Sequence, residues 1–323
     1  ATSNTGTLTV NQFVPTATMQ SITAVQVGAN LSLSATVTGT GLRSPSGGSI
    51  SFYLGSVAAA NLLGTDDTLS NSSGTYSANL TVPTGGTDNG TAPPEVTTAG
   101  TAYTVIAVFN GDATNGNLAA SSSTADATNA KSVTLTKRTP TVTMNNQTAT
   151  LGSTTSLTAN VSSGAAAVSP ACTNCLEFRL GTATGTLLGT ESVASNGVAT
   201  LANVATGSGT PFTANGSYTI WAVYAGNTNL NGEDDSGSLA IAQPVTITVT
   251  GASTVERTDT ITLTATLSPT AAPGTVQFKA DGANIGSARS VSSGVATYDW
   301  APTVAGEYDI TAEYTSTNSS YLS

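Results

Sequence analysis

LSLSATVTG, residues 31–39, alternates apolar and hydroxyl side chains without a break. In an extended chain successive side chains point to opposite faces. Leu31, Leu33, Ala35 and Val37 therefore fall on one side, and Ser32, Ser34, Thr36 and Thr38 on the other. Such a stretch is a β-strand with one dry and one wet face. A helix would scatter the same residues around its circumference. The pattern returns as TSLTANVSS (155–163) and again as ITLTATLSP (261–269).

Four further signatures surround each copy in the same order. SISFYLG (49–55), CLEFRLG (175–181) and TVQFKADG (275–282) come next. Then follow LLGT (62–65), LLGT (187–190) and NIGS (284–287), and after them SSGTYSANLTV (72–82), SNGVATLANV (195–204) and SSGVATYDW (292–300). AYTVIAVFNGD (102–112), SYTIWAVYAGN (217–227) and EYDITAEYTST (307–317) close the series. Short alternating strands broken by Gly-, Asn- and Ser-rich turns, repeated three times with no helical period, predict a row of β-sandwiches.

This order resembles the bacterial Ig-like repeats of the group 3 type, found in tandem in large secreted and surface proteins. FNGDATN (109–115) and YAGNTNL (224–230) match that family's YxGDxN corner, whereas YTSTNSS (314–320) lacks its Gly and Asp. The resemblance spans essentially the whole chain. It implies seven-stranded Ig-like sandwiches on a surface-exposed protein, and names no ligand, because a fold alone does not give a function. The fold class expected is all-β, with Ig-like domains at 14–138, 139–243 and 244–323. Residues 85–100 (GGTDNGTAPPEVTTAG) form a loop insertion in the first.

The first two repeats end in a last strand, SVTLTKR (132–138) and SLAIAQ (238–243), and each leads through Pro140 or Pro244 into the next repeat. The opening of the chain, TLTVNQFVPTATM (7–19), aligns without a gap on SVTLTKRTPTVTM (132–144). Leu8 and Val10 then fall on Val133 and Leu135, and on Leu239 and Ile241 in the other copy. Residues 1–13 read as a last strand with no sandwich before it, and 244–323 as a sandwich with no last strand after it. The two complement each other. Residues of the leading segment, with Leu8, Val10, Gln12 and Phe13 at its heart, are expected to complete the third sandwich of a neighbouring identical subunit along an acceptor strand carrying Tyr308, Ile310, Ala312 and Tyr314. Such β-strand addition is heterologous and head-to-tail, and it builds an open fibre unless the rotation closes into a ring. The alternative is a stalk or spacer segment of a large cell-surface adhesin or S-layer protein.

Composition narrows the chemistry. The chain of 323 residues carries 8 basic against 18 acidic side chains, a net charge of −10. No Lys/Arg cluster could track a phosphate backbone, so nucleic acid is not an expected partner. No run approaches the ~20 apolar residues of a membrane helix, and no membrane insertion is expected. Histidine is absent, which removes Ser-His-Asp and Cys-His arrangements. Neither enzyme activity nor a cofactor is expected. Cys172-Thr-Asn-Cys175 offers two thiolates where tetrahedral zinc wants four ligands, and it precedes a strand instead of opening a redox helix. A short disulfide, and with it an extracellular, oxidising location, is the expectation; a free dithiol is the alternative. Asn227–Asp235 superficially resembles the front of a calcium loop, but amides hold its first ligand positions, so a solvated acidic turn and no metal is expected; calcium bridging here or at Asp66-Asp67 is the alternative. Eight N-x-[ST] sequons are near the number chance gives in so Ser/Thr-rich a chain. Asn89 and Asn215 are the positions best placed for a glycan.

Overall fold

The computed structural model describes residues 6–38, 48–85, 96–112, 118–121, 130–257 and 259–323. The first eight strands are β1 (Thr16–Met19), β2 (Asn30–Thr38), β3 (Gly48–Leu54), β4 (Leu62–Asp66), β5 (Ser70–Ser72), β6 (Thr75–Pro83), β7 (Ala102–Asp112) and β8 (Ala130–Thr134). They form two sheets, ordered β1-β2-β6-β5 and β4-β3-β7-β8. The next eight are β9 (Thr141–Met144), β10 (Gln147–Thr150), β11 (Thr154–Ser162), β12 (Cys172–Leu180), β13 (Thr186–Val193), β14 (Val198–Ala205), β15 (Gly216–Tyr224) and β16 (Glu233–Ala242). Their sheets run β14-β11-β9 and β10-β16-β15-β12-β13. The last seven are β17 (Thr246–Thr250), β18 (Ile261–Ser268), β19 (Gly274–Ala280), β20 (Ala283–Asn284), β21 (Arg289–Ser290), β22 (Val295–Trp300) and β23 (Ile310–Ser316). Here β17-β18-β22 faces a sheet built on β19, which pairs with β20, β21 and β23.

Each repeat signature has a structural cause. The alternating stretch 31–38 is β2, with Leu31, Leu33, Ala35 and Val37 buried and the intervening hydroxyl residues turned outward. The single phenylalanine of the second signature, Phe52, Phe178 or Phe278, is fully buried in each core. The glycine of LLGT exists because another side chain crosses it. A Cβ on Gly64 would lie 2.8 Å from Leu80, and one on Gly189 would lie 2.6 Å from Leu201. In the third copy the ring of Tyr298 covers Gly286 in the same way. The corner glycine answers to the backbone instead. Gly226 has φ +86°, and a Cβ there would meet the Leu230 carbonyl oxygen at 2.7 Å and the Gly232 nitrogen at 2.9 Å. Only glycine takes that left-handed conformation without strain.

Backbone contacts also tie one sandwich to the next. Arg138 leaves the first and bridges Leu230 of the second, donating from its amide to Asn229 O and accepting from Asn231 N, both at 2.9 Å. Gln243 repeats this towards Tyr321, with Gln243 N donating to Ser320 O at 2.8 Å and Leu322 N donating to Gln243 O at 3.0 Å.

Candidate functional site: an open sheet edge and a leading strand

In the first two sandwiches one strand closes the core along the edge of the penultimate strand. In the first, β8 pairs antiparallel with β7, placing Val133 opposite Tyr103. The chain runs on to Thr136, whose amide donates to Val25 O and whose carbonyl accepts from Val27 N, each at 3.0 Å. In the second, β16 lies between β15, with Leu239 opposite Tyr218, and β10, with Ile241 beside Ala149 in parallel. Val133, Leu135, Leu239 and Ile241 are all buried. The closing strand thus contributes two apolar side chains to each core and hydrogen-bonds on both of its edges.

The third sandwich has the rest of this arrangement but no such strand among the described residues. β23 pairs with β19 on one edge, and among the described residues no ladder lies on the other. Residues 251–257, the counterpart of the segment that flanks the closing strand elsewhere, have no ladder partner among the described residues. Between them lies a cleft of about 710 Å³ lined by Val249, Ile261, Leu263, Trp300, Tyr308 and Ile310. Val255 and Val304, on its rim, are 39% and 66% exposed. An unpaired sheet edge beside a cleft of this kind is a template for strand addition.

The expected acceptor strand begins two residues later than its sequence suggests. Ile310, Ala312 and Tyr314 lie in β23, whereas Tyr308 precedes it. Tyr103 and Tyr218 are drawn into their strands by the closing strand opposite them, and Tyr308 has none. It is held instead by a tyrosine corner: its hydroxyl donates to Val304 O at 2.8 Å, as Tyr218 donates to Ala214 O at 2.9 Å. Its ring stacks edge-on against Trp300 with centroids 5.0 Å apart. In the first sandwich the amides of Thr98 and Thr97 donate to the Tyr103 oxygen instead. Burial alone would raise the Tyr103 pKa, but those hydrogen bonds outweigh it and lower it. Tyr314 is buried, and its hydroxyl donates to Pro273 O at 2.7 Å.

At the other end of the chain Leu8 is 86% exposed and Val10 82% exposed. Phe13 does not share their surroundings. It bridges Leu118 of its own chain and accepts from Ala119 N at 3.0 Å, and its side chain packs against the first core. Phe13, Arg138 and Gln243 therefore occupy equivalent points at the entrances of the three sandwiches. Phe13 belongs to that entrance, which leaves 6–11 as the part of the leading segment with no ladder.

The remaining candidate positions divide. Cys172 and Cys175 form a disulfide with Cα atoms 5.9 Å apart. It does not precede the strand as expected. It lies inside β12 and spans the register break between Cys172 and Leu176, where Asn174 adopts φ 47°. The acidic run Glu233–Asp235 is likewise not a turn: it opens β16, because its backbone pairs in register with Ala222–Tyr224. Among the described residues no three side chains of metal-ligating type cluster. The asparagines before it bind the neighbouring sandwich. Asn229 accepts from Ala99 N at 2.9 Å and donates to Thr97 O at 3.0 Å, and Lys137 Nζ donates to Asn227 O at 2.7 Å. Spacing alone gave no sign of this role. Asn215 donates to Ser320 O at 2.9 Å, across the junction of the second and third sandwiches. Asn89 lies outside the described residues, as does most of the 85–100 insertion. No helix among the described residues is long and apolar enough to cross a membrane.

The architecture is that of tandem Ig-like β-sandwich proteins. Residues 247–323 match the family model of the bacterial Ig-like domain (group 3). No curated protein sequence matches the chain. Among solved structures, the I9–I11 tandem of titin is 13% identical, with 93% of this chain and 95% of that one covered and a TM-score of 0.33. Titin A168–A170 is 12% identical, with coverage of 94% and 92% and a TM-score of 0.43. A tetra-tandem repeat from the extending region of a large adhesion protein is 16% identical, with coverage of 95% and 71% and a TM-score of 0.31.

Proposed function

We propose that this protein is a non-enzymatic structural subunit of an extracellular fibre, assembled head-to-tail as residues 6–11 of one copy complete the third sandwich of the next. One observation carries the reading. Leu8 and Val10 align on Val133 and Leu135 and on Leu239 and Ile241, which are buried in their sandwiches, yet Leu8 and Val10 themselves stand in solvent. The cleft beside β23 offers room for such a pair. Its occupant is a second copy because the leading segment repeats the apolar alternation of the chain's own closing strands, with Leu8 and Val10 at the positions of Val133 and Leu135 and of Leu239 and Ile241. Seating it would remove Leu8 and Val10 from water, at roughly 1.5–3 kcal/mol each. The donor strand and acceptor edge are different surfaces at opposite ends of the chain, so the contact propagates. The disulfide fits the oxidising, extracytoplasmic compartment in which such a fibre would assemble.

A second reading has its own support in the repeated junctions Arg138–Leu230 and Gln243–Tyr321, which suit a stiff spacer. In that case chain continuing past Ser323 fills the cleft. Electron microscopy and sedimentation of the purified chain, with and without residues 1–12, separate the two. The fibre reading expects filaments with an axial repeat of roughly 100–120 Å, three sandwiches of strands rising ~3.3 Å per residue, and their loss on deletion. Monomers from the intact chain at high concentration, or filaments that survive the deletion, overturn it.

A further inference from the structure

Resting on that reading, we infer the register of the incoming strand: Leu8 seats opposite Tyr308 and Gly6 opposite Ile310, and residues 255–257 then close over it as a parallel strand. Two internal precedents fix the first half. Val133 stands opposite Tyr103, and Leu239 opposite Tyr218. The three tyrosines occupy one position of the repeat, AYTV, SYTI and EYDI. Leu8 is the residue that aligns on Val133 and Leu239, so it meets Tyr308. Two residues earlier the second sandwich has Gly237 opposite Ile220, and the leading segment has Gly6. A Cβ at Gly237 would lie 2.7 Å from Met144 O, because the chain leaving β9 crosses the closing strand there. Val249 is the counterpart of Met144: Met144 pairs with Ala159, and Val249 with Ala265, at matching points of TSLTANVSS and ITLTATLSP. Gly6 therefore passes beneath Val249. The first sandwich places the exposed Lys131 at this point, so the glycine fits the register without alone defining it.

The second half comes from the flanking segment. Met19 pairs with Ala35 as Val249 pairs with Ala265, and the stretches from Met19 to Leu33 and from Val249 to Leu263 have equal length. Val25, Gln26 and Val27 therefore correspond to Val255, Glu256 and Arg257. Gln26 bridges Thr136 in parallel, and Thr136 aligns on Asn11. In the completed sandwich Asn11 N donates to Val255 O, Arg257 N donates to Asn11 O, and Val255 packs beside Val10 as Val25 packs on the first core. The cleft is thus open on the Val255 side before assembly and roofed after it.

Engineered cysteines in the full chain, with Cys172–Cys175 intact, test both halves. Thr7 and Asp309 lie opposite each other on the outer face of the inferred register, within the ~4.4–6.8 Å Cα separation a disulfide requires. Mild oxidation of the Thr7→Cys/Asp309→Cys variant is expected to give a covalent ladder of multimers on a denaturing gel. Thr7→Cys/Thr311→Cys, slipped by two residues, is expected to give none. Asn11→Cys/Glu256→Cys is expected to form a ladder through the roof. A ladder from the slipped pair, or filaments with no ladder from the first pair, overturns the register while the fibre reading stands. A ladder from the first pair but none from Asn11/Glu256 overturns the roof. No filaments from any of these variants or from the unmodified chain overturns the fibre reading itself.

Discussion

Leu8→Ala separates assembly from folding more cleanly than any other single substitution here. In the isolated chain Leu8 is 86% exposed and makes no core contact, so its removal leaves the melting temperature of dispersed protein unchanged. In the proposed fibre it would take the place that Leu239 holds in the second sandwich, where exposure is 0%. Truncating a fully buried leucine to alanine costs about 2–5 kcal/mol, and every ~1.4 kcal/mol is a factor of ten in an equilibrium constant. The critical concentration for filament growth should therefore rise about 30-fold or more. Leu239→Ala is the intramolecular control: it should lower the stability of the dispersed chain by the same ~2–5 kcal/mol, because there the closing strand is part of the fold. Light scattering against concentration reads the first effect, and thermal unfolding the second. An unchanged critical concentration for Leu8→Ala, or a lower melting temperature of the monomer, would refute the placement of Leu8.

Gly226→Ala forces a left-handed backbone on a side chain whose Cβ already meets the Leu230 carbonyl oxygen at 2.7 Å; a loss of roughly 1–3 kcal/mol is expected in denaturant unfolding. Asn229→Ala deletes two hydrogen bonds across the first junction, at about 1 kcal/mol apiece, and small-angle scattering should show a wider spread of inter-sandwich angles with each core intact. Asp66 accepts from Asn79 N, Thr68 N and Thr68 Oγ1 at 2.7–2.8 Å. Burial raises its pKa, but these bonds outweigh that and lower it. A carboxyl depressed on folding adds stability that is full above its unfolded pKa of about 3.9 and lost as pH falls through the lower folded value. Acid unfolding of Asp66→Asn should lack that component, with stability compared at pH 7 and below pH 4.

Much of the fold was legible because its signals are local. Period-two alternation places Leu31 to Val37 in a core whatever lies opposite them. The repeated phenylalanine and LLGT motifs mark equivalent points that the structure makes equivalent. What escaped sequence reasoning depends on partners distant in the chain. Asn227 and Asn229 read as failed calcium ligands, and only packing of the second sandwich on the first turns Asn229 towards Thr97 and Ala99. Glu233–Asp235 read as a turn because three acidic residues suit solvent, but pairing with Ala222–Tyr224 makes them strand. Phe13 read as part of the leading strand, and its bridge to Leu118 places it at the entrance of the first sandwich.

By itself, then, the order of residues determined strand composition, the threefold repeat and which side chains form each core, since burial in a sheet follows directly from position along a strand. The tertiary structure decided the partner and register of each edge. Ladder hydrogen bonds join residues as distant in the chain as Gln147 and Leu239, and an edge is open or closed only through what folds against it. The cleft bordered by Trp300, Tyr308 and Ile310 is a property of that arrangement and of no single segment.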